Sequence, residues 1–512
     1  TPSYKSKAKI VKFKANLKES NNDYVVENEN NTPIKMWSSK KGDTILEFKN
    51  NIAGYLAFNV NANNGDKLDR IIGATITTFR DSSVQLDNKY KPIRNCILWL
   101  DQRTAKAEEK LPLLYTFLFN LVGMKDTVEL NRKRTIAHWL KENERDTWDR
   151  TYKYVNISTY LTYKLTGKLV DSAANLSGHY PINFKKRVWY KETFLKAKIF
   201  GIPRRMCCDL VQPGDEIGTI SDEFAKEVGL PLGIKVIATG SDKACETIGL
   251  DALNRDTAAL SYGTACSVEV SNQKYIEPEP FLPAYPAATK GWYNMEVQVY
   301  RGYWMLTWFS KQFATELIDE AKLQKMAVEE ILNAGLSKVP PGSDGLVLQP
   351  YWGPGLSRPL AKGAIVGFSD IHTRDHLYRA IIEGIAYALK EGLEGIERNQ
   401  HHKVSSIRVS GGGSRSSAIC QITADIFNLP VSTIQTNESS SLGAAISVFH
   451  AIGEFKDIGE ASKAMVHVSK TYQPNSIAAH QYEYLYNKVY LNLYPQLKDV
   501  YKDLNRFSKR IK

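Results

Sequence analysis

Asp242 stands in the stretch Thr239–Gly249, TGSDKACETIG, directly after the apolar, β-branched run Ile234–Ala238. The run predicts a strand, Gly240 gives its end room to turn, and Asp242 is left at the strand tip beside whatever crevice lies there. A carboxylate so placed can accept a proton from a bound hydroxyl while it stays ionised near neutral pH. Asp is equally a favoured N-cap, and here it could simply cap the helix that starts near Ala244. On this segment alone both readings stand. Two further stretches carry groups suited to anions. Ser261–Ala265, SYGTA, is a tight polar turn between strands predicted at Asp256–Leu260 and Cys266–Ser271. A Gly-Thr turn offers backbone N–H groups and a hydroxyl to a phosphate, although most such turns only join a hairpin. Ser406–Ser410 alternates like a strand and runs into Gly411-Gly412-Gly413-Ser414, then a helix over Ser417–Phe427. Glycines permit close backbone approach and a helix N-terminus favours negative charge, so strand, glycines and helix make an anion or nucleotide seat. The seat is neither a GxGxxG dinucleotide fingerprint nor a P-loop ending in Gly-Lys-Ser.

The elements that must position these groups alternate between strand and helix patterns. Strands are predicted at Ala8–Phe13 and Asp23–Asn28, a weak helix over Ile45–Asn59, and a β-branched run at Ile71–Thr77. Val84–Leu86 returns before an Asp87-Asn88 turn, and Cys96–Leu100 reads as a short strand leaving Asp101-Gln102-Arg103 at its exit, where open sheets put ligand contacts. Lys106–Val122, Asn131–Glu144 and Val155–Leu165 carry apolar residues at helical spacing, with Trp139 and Trp148 as core candidates. Asp171–Asn175 opens a polar turn in which Asp171 or Asn175 either faces a cleft or is solvated. Beyond Asp242 the chain begins again with a hairpin, which hints at two related halves. Tyr300–Phe313, His376–Ile396 (capped by Thr373 or Asp375) and Ser439–His450 are predicted helices, and the small residues of the last, Gly443-Ala444-Ala445, suit tight packing on the glycine seat. The Tyr- and Lys-rich tail from Ala479 is predicted to close on the surface as helix.

Composition bounds the function class. At 512 residues two large domains are expected, and 43% hydrophobic with 24% charged residues is an ordinary globular balance. The net charge of +12 is spread along the chain, with dense patches only at Lys5–Lys14 and Lys502–Lys512. No zinc-finger spacing or basic stripe with interleaved aromatics is present, so no nucleic-acid partner is expected; a polyphosphate small molecule accounts for positive potential equally well. Six scattered cysteines without CxxC spacing read as reduced thiols. No run of eighteen apolar residues and no signal-peptide pattern occurs, so no membrane partner and a cytoplasmic location are expected.

Taken together the stretches resemble the FGGY carbohydrate kinases. LSYGTACSVEV at 260–270, VSGGGSRSSAICQITADIF at 409–427 and LGAA at 442–445 are similar to that family's phosphate, adenosine and closing-helix patterns. CILWLDQRT at 96–104, NISTYLTYKLTG at 156–167 and GSD at 240–242 are similar to its sugar-binding half, so the resemblance runs over nearly the whole chain. It implies an α/β fold of two actin-like (ribonuclease H-like) domains around a central cleft. Residues 1–245 would be the sugar-binding domain and 246–512 the ATP-binding domain. It also implies ATP- and Mg²⁺-dependent phosphorylation of a small sugar or polyol. Asp242 then matches the catalytic base and a metal ligand. Gly263 and Thr264 match a phosphate hairpin, and Thr1 and Ser3 part of another. Gly411, Gly412, Gly413 and Ser416 fall where the family seats adenosine. Arg80 and Asp81 align with an Arg–acid pair that glycerol kinases use on the polyol, and Asp101 lies at the exit of the matching sugar-side strand. Lys243 replaces the Gln or Asn of several members; an ammonium there would favour an acidic or heavily hydroxylated substrate, or pair with Asp81. CILWLDQR is closer to the branch that takes pentuloses such as xylulose, with glycerol or another polyol or sugar acid next. The family often forms dimers, which makes a homodimer an option.

One departure sets the alternative. Members of the family begin with a strand ending in Asp, followed by Gly-Thr, whose carboxylate helps hold Mg²⁺. Thr1-Pro-Ser-Tyr-Lys5 is similar to the residues just after that glycine. Either the sequence starts late or the chain lacks that acid; because phosphoryl transfer rests on positioning and charge neutralisation, the second case sets the alternative of a catalytically inactive sugar- or nucleotide-binding protein of the same fold.

Overall fold

The computed structural model describes residues 33–38, 44–48 and 71–510, except 110, 122, 280, 281, 354, 356 and 357. The strands expected at Ala8–Phe13 and Asp23–Asn28 lie outside these residues, as do Thr1 and Ser3. Thr44–Phe48 pairs antiparallel with Pro33–Ser38, so the helix expected from Ile45 is a strand where it is described. The run TILEF, with its β-branched and aromatic residues, suits a pleated strand better than a helix.

In the first half β1 (Gly73–Thr75) comes from the β-branched run at Ile71–Thr77, and β2 (Ser83–Leu86) pairs antiparallel with β3 (Lys153–Asn156). β4 (Glu216–Thr219) and β5 (Lys235–Ile237) complete a sheet of order β4-β5-β1, with β5 parallel to β1. Val236 and Ile237 are buried, as expected for a strand covered on both faces. Cys96–Leu100 is not a strand. Only Ile97 bridges to Ser83, the chain then turns from Leu98 to Asp101, and Leu98, Trp99 and Leu100 are exposed. The helical block is cut shorter than its periodicity suggests. It comprises Leu113–Leu121, Lys125–Arg134, Ile136–Asn143, Arg145–Arg150 and Ile157–Thr166, and extended residues at Thr135 and Asn156 start new helices. Val155 belongs to β3, where it is buried.

The second half is a seven-stranded sheet. β6 (Thr257–Tyr262) and β7 (Cys266–Asn272) form the expected hairpin, and β8 (Tyr285–Pro286), β9 (Tyr293–Val299), β10 (Ser406–Ser410), β11 (Val431–Ile434) and β12 (Val468–Tyr472) follow. Their order is β8-β9-β7-β6-β10-β11-β12, with parallel pairing only from β6 through β10 to β11. The helix Arg374–Gln400, opened by a Thr373–His376 capping box, packs Ile381, Ile385 and Leu389 into the core beside this sheet. The tail does not simply close on the surface. Tyr482, Tyr486 and Tyr490 are buried around Tyr387, with ring centroids 5.2 Å apart for Tyr387 and Tyr490. A π-helical turn at Tyr486–Tyr490 accompanies that placement. Among the described residues no helix is long and apolar enough to cross a membrane, and the six cysteines are unpaired.

Small residues join the halves. Ala174, Ala244, Cys245 and Ile248 share a core with Ala259, Ala288, Ala444 and Ile446. The helix Ser439–Ala451 packs its small face on the helix Asp242–Gly249, and not on the glycine seat as expected. A Cβ on Gly443 would lie 1.8 Å from the carbonyl oxygen of Cys245, and one on Gly249 would lie 1.8 Å from that of Ser439. The two backbones are in contact.

Candidate active site

β5 delivers the chain to Ser241, and Ser241 caps the next helix: its hydroxyl accepts from the N–H of Ala244 at 3.4 Å. Asp242 is the first helical residue, its own N–H donating to the carbonyl of Thr78 at 3.0 Å. The cap is therefore another residue's work, and among the described residues the Asp242 carboxylate takes just the neighbouring N–H of Lys243 at 2.8 Å, which leaves it for chemistry. Burial pushes the carboxyl above the usual aspartate range, while Lys243 and Arg80 pull it back and Glu246 adds to the rise.

On one side lie the residues that follow β1. Arg80 makes a two-pronged bond to Glu296 on β9, at 2.5 and 2.7 Å, and passes over the ring of Tyr285. Burial works to raise Glu296, but the guanidinium outweighs it and holds the carboxyl below its ordinary value. Glu269, opposite Glu296 in the β7–β9 register, is pushed well up by burial and by that neighbour. Arg80 thus neutralises a buried acid. Arg80→Met should cost about 3–5 kcal/mol by stranding that acid, and Glu296→Leu in the same chain should recover most of it. Chemical denaturation measures both; equal losses in the single and double variants would show that the pair is not what Arg80 stabilises.

Asp81 adopts a left-handed backbone with φ of 57° and faces His179, accepting from its backbone N–H at 3.1 Å and lying 2.5 Å from Nδ1. Burial raises its carboxyl, yet His179 and Arg80 bring it below the ordinary aspartate value. Asp81 does not pair with Lys243. The Lys243 ammonium reaches Glu246 at 2.7 Å and the hydroxyl of Ser261, and the carboxylates of Glu246, Glu269 and Asp242 hold its pKa up against burial. Lys243 is therefore engaged inside the protein instead of standing free for a substrate acid. Asp101 is turned to its own neighbour, accepting from the backbone and side chain of Arg103, whose guanidinium stacks 4.4 Å from the Trp139 ring. Asp171 neither faces the cleft nor is solvated: it is buried and accepts from Ser158, Thr159, Asn175 and the N–H of Ser172.

The two turns follow Ser261 and Ser410, to which Lys243 and Glu246 of the Asp242 helix are bonded. Gly263 and Thr264 sit at the tip of the β6–β7 hairpin, Thr264 exposed, and their carbonyls accept from Tyr303 and Trp304 at 3.0 and 3.3 Å. Gly411 has φ of +79°, and a Cβ there would lie 2.6 Å from the Tyr262 carbonyl oxygen. Gly412 opens a short 3₁₀ turn, Gly412–Arg415, and the Ser416 hydroxyl caps the helix Ser417–Phe427. A Cβ on Gly413 would lie 2.2 Å from the Tyr303 ring, which stacks on Tyr262 with centroids 5.0 Å apart. Gly413→Ala should therefore displace Tyr303 and raise KM for nucleotide several-fold, with KM for the sugar unchanged; steady-state kinetics with each substrate varied separate the two.

The sequence pointed to Asp242 and both turns but missed Glu246, Glu296, His179 and Tyr303. None sits in a glycine turn or at a strand exit, and their partners are distant in sequence. Among the described residues no group of three His, Cys, Asp or Glu could hold a metal by itself. Asp242 offers one hard oxygen ligand, which fits Mg²⁺ held chiefly by nucleotide phosphates.

The model of the FGGY family of carbohydrate kinases, N-terminal domain, matches residues 6–249, and that of the C-terminal domain matches residues 258–452. An uncharacterized sugar kinase, YgcE, of Escherichia coli K12 is 30% identical over 67% of this chain and 72% of its own. The xylulose kinase of Lactococcus lactis is 26% identical over 86% of this chain and 85% of its own. The crystal structure of gluconate kinase from Lactobacillus acidophilus superposes with a TM-score of 0.70 at 25% identity, covering 85% of this chain and 86% of that one.

Proposed function

The chain belongs to the FGGY family of carbohydrate kinases, with that family's two actin-like α/β domains, and we propose that it phosphorylates a hydroxyl of a neutral sugar, a pentulose such as xylulose before others. One observation carries the reading: Asp242 is released from capping by Ser241, lies within reach of the Arg80 charge, and shares its helix with Lys243 and Glu246, which bond to Ser261 and Ser410 beside the two glycine turns. Asp242 takes the proton of the attacking hydroxyl. Asp81, held by His179, and Arg80 line the sugar side, within residues 1–245. Gly263 and Thr264 grip phosphates, and Gly411–Gly413 with the Ser416 helix end seat adenosine, within residues 246–512. Mg²⁺, bound by Asp242 and the nucleotide, would neutralise charge on the phosphates as the group moves.

Charge favours a neutral substrate. Arg80 is matched by Glu296 and Lys243 by Glu246, so among the described residues the two cations that act on Asp242 already hold carboxylates. A sugar acid would have to break one of these buried pairs. The xylulose kinase relative supports a pentulose, and the gluconate kinase likeness names the competing class. ADP release measured against pentuloses, polyols and hexonates, with and without Mg²⁺, tests the reading. Metal-dependent turnover fastest with a pentulose is expected; preference for a hexonate would overturn the neutral-substrate assignment, and nucleotide binding without turnover on any acceptor would overturn the kinase.

A further inference from the structure

Glu246 lies one turn beyond Asp242 and is only 5% exposed. A buried carboxylate is costly unless it is paired and hydrogen-bonded, so its two oxygens show what it is held for. Oε2 accepts from the ammonium of Lys243 at 2.7 Å, and Oε1 accepts from the hydroxyl of Ser410. Lys243 in turn donates to the hydroxyl of Ser261. Ser261 and Ser410 are register partners on the adjacent parallel strands β6 and β10. Ser261 is two residues before Gly263, and Ser410 is immediately before Gly411. A single Lys–Glu pair on the Asp242 helix therefore touches both strand ends from which the two nucleotide turns spring.

From this geometry we infer that Lys243 and Glu246 form a positioning bracket that sets where Asp242 stands relative to the bound nucleotide. The inference rests on the kinase reading above and adds a role for two residues that are bonded to each other and to Ser261 and Ser410. Positioning of this kind has large kinetic leverage, because a misplacement of about 1 Å can cost about 100-fold in rate. The helix has a second tie at its far end, which supplies a control. Arg408, also on β10, donates to the carbonyl of Leu250 at 2.8 Å and pairs with Asp251 at 3.1 Å. If the ties merely hold the helix to the sheet, loosening either end should act alike.

Three variants decide the matter: Glu246→Gln, Ser410→Ala (which leaves the Lys–Glu pair intact) and Arg408→Met. For each, melting temperature, kcat, KM for both substrates and ADP affinity by titration calorimetry are measured on the full chain. With a bracket, Glu246→Gln and Ser410→Ala lower kcat about tenfold or more and weaken ADP about threefold or more, with KM for the sugar unchanged. Arg408→Met, at a similar loss of melting temperature, keeps kcat and ADP affinity within about twofold. Variants of both ends that lose activity only in step with stability would overturn the bracket while leaving the kinase reading intact. A wild-type chain that turns over no acceptor, yet shows the same ADP pattern, would overturn the kinase and leave the bracket standing.

Discussion

Asp242→Asn should give a protein that folds, binds nucleotide and sugar, and transfers phosphate about 10²–10⁴-fold more slowly. Ser241 supplies the helix cap and Asn keeps an oxygen for the N–H of Lys243, so the local structure has no reason to change. What is lost is the negative charge that draws the proton. The pH dependence follows from the raised pKa. The base works ionised, so the rate is full above its pKa and falls as pH drops through it. Burial, set against the Arg80 and Lys243 charges and reinforced by Glu246, places that acid limb above the range of an exposed aspartate, about 3.9. Stability carries the opposite sign. A carboxyl whose pKa is raised on folding favours the native state below its unfolded value, and that contribution is lost as pH rises through the folded one. At neutral pH the ionised, half-buried Asp242 thus costs stability that a neutral Asn does not. The variant should melt no lower than wild type, the trade expected of a functional site. Activity within about tenfold of wild type would place the base elsewhere.

The sequence spoke clearly where the chemistry is local. The strand Ser406–Ser410, the three glycines and the helix Ser417–Phe427 are observed with the boundaries their pattern predicts, because alternation, backbone freedom and the Ser416 cap all act within a few residues. The β6–β7 hairpin was legible for the same reason. Cys96–Leu100 misled because an apolar run says nothing of whether a partner strand continues beside it, and after Ile97 none does. Lys243 misled more instructively. Its charge was visible, but its partner was not: Glu246 reads as one polar residue in a short helix, and the serines that complete the network come from β6 and β10. Arg80 and Glu296 are 216 residues apart, and no periodicity in either segment records that they meet.

Gly249→Ala and Gly443→Ala should each destabilise the chain by an amount at the upper end of the about 1–3 kcal/mol typical of overpacking, or beyond it. Helix propensity alone gives the opposite sign, since Ala is better than Gly within a helix by about 0.5–1 kcal/mol. Contact decides between them. The added carbon would sit 1.8 Å from a backbone carbonyl oxygen in either case, and a backbone atom of the partner helix cannot rotate away as a side chain can. Gly395→Ala is the matched control, because its new carbon meets nothing closer than 3.8 Å, and there propensity should prevail and stability hold or rise slightly. The two interface variants should also be non-additive. Each pushes the same pair of helices apart, so once one is present the second has less to displace, and the double variant should cost less than the sum. Urea denaturation gives all four values; additive losses would mean that the backbones relax independently. Kinetics complete the test, because the helix that must shift begins with Asp242. The surviving folded fraction of Gly249→Ala or Gly443→Ala should show a lower kcat per active molecule, whereas Gly395→Ala should not.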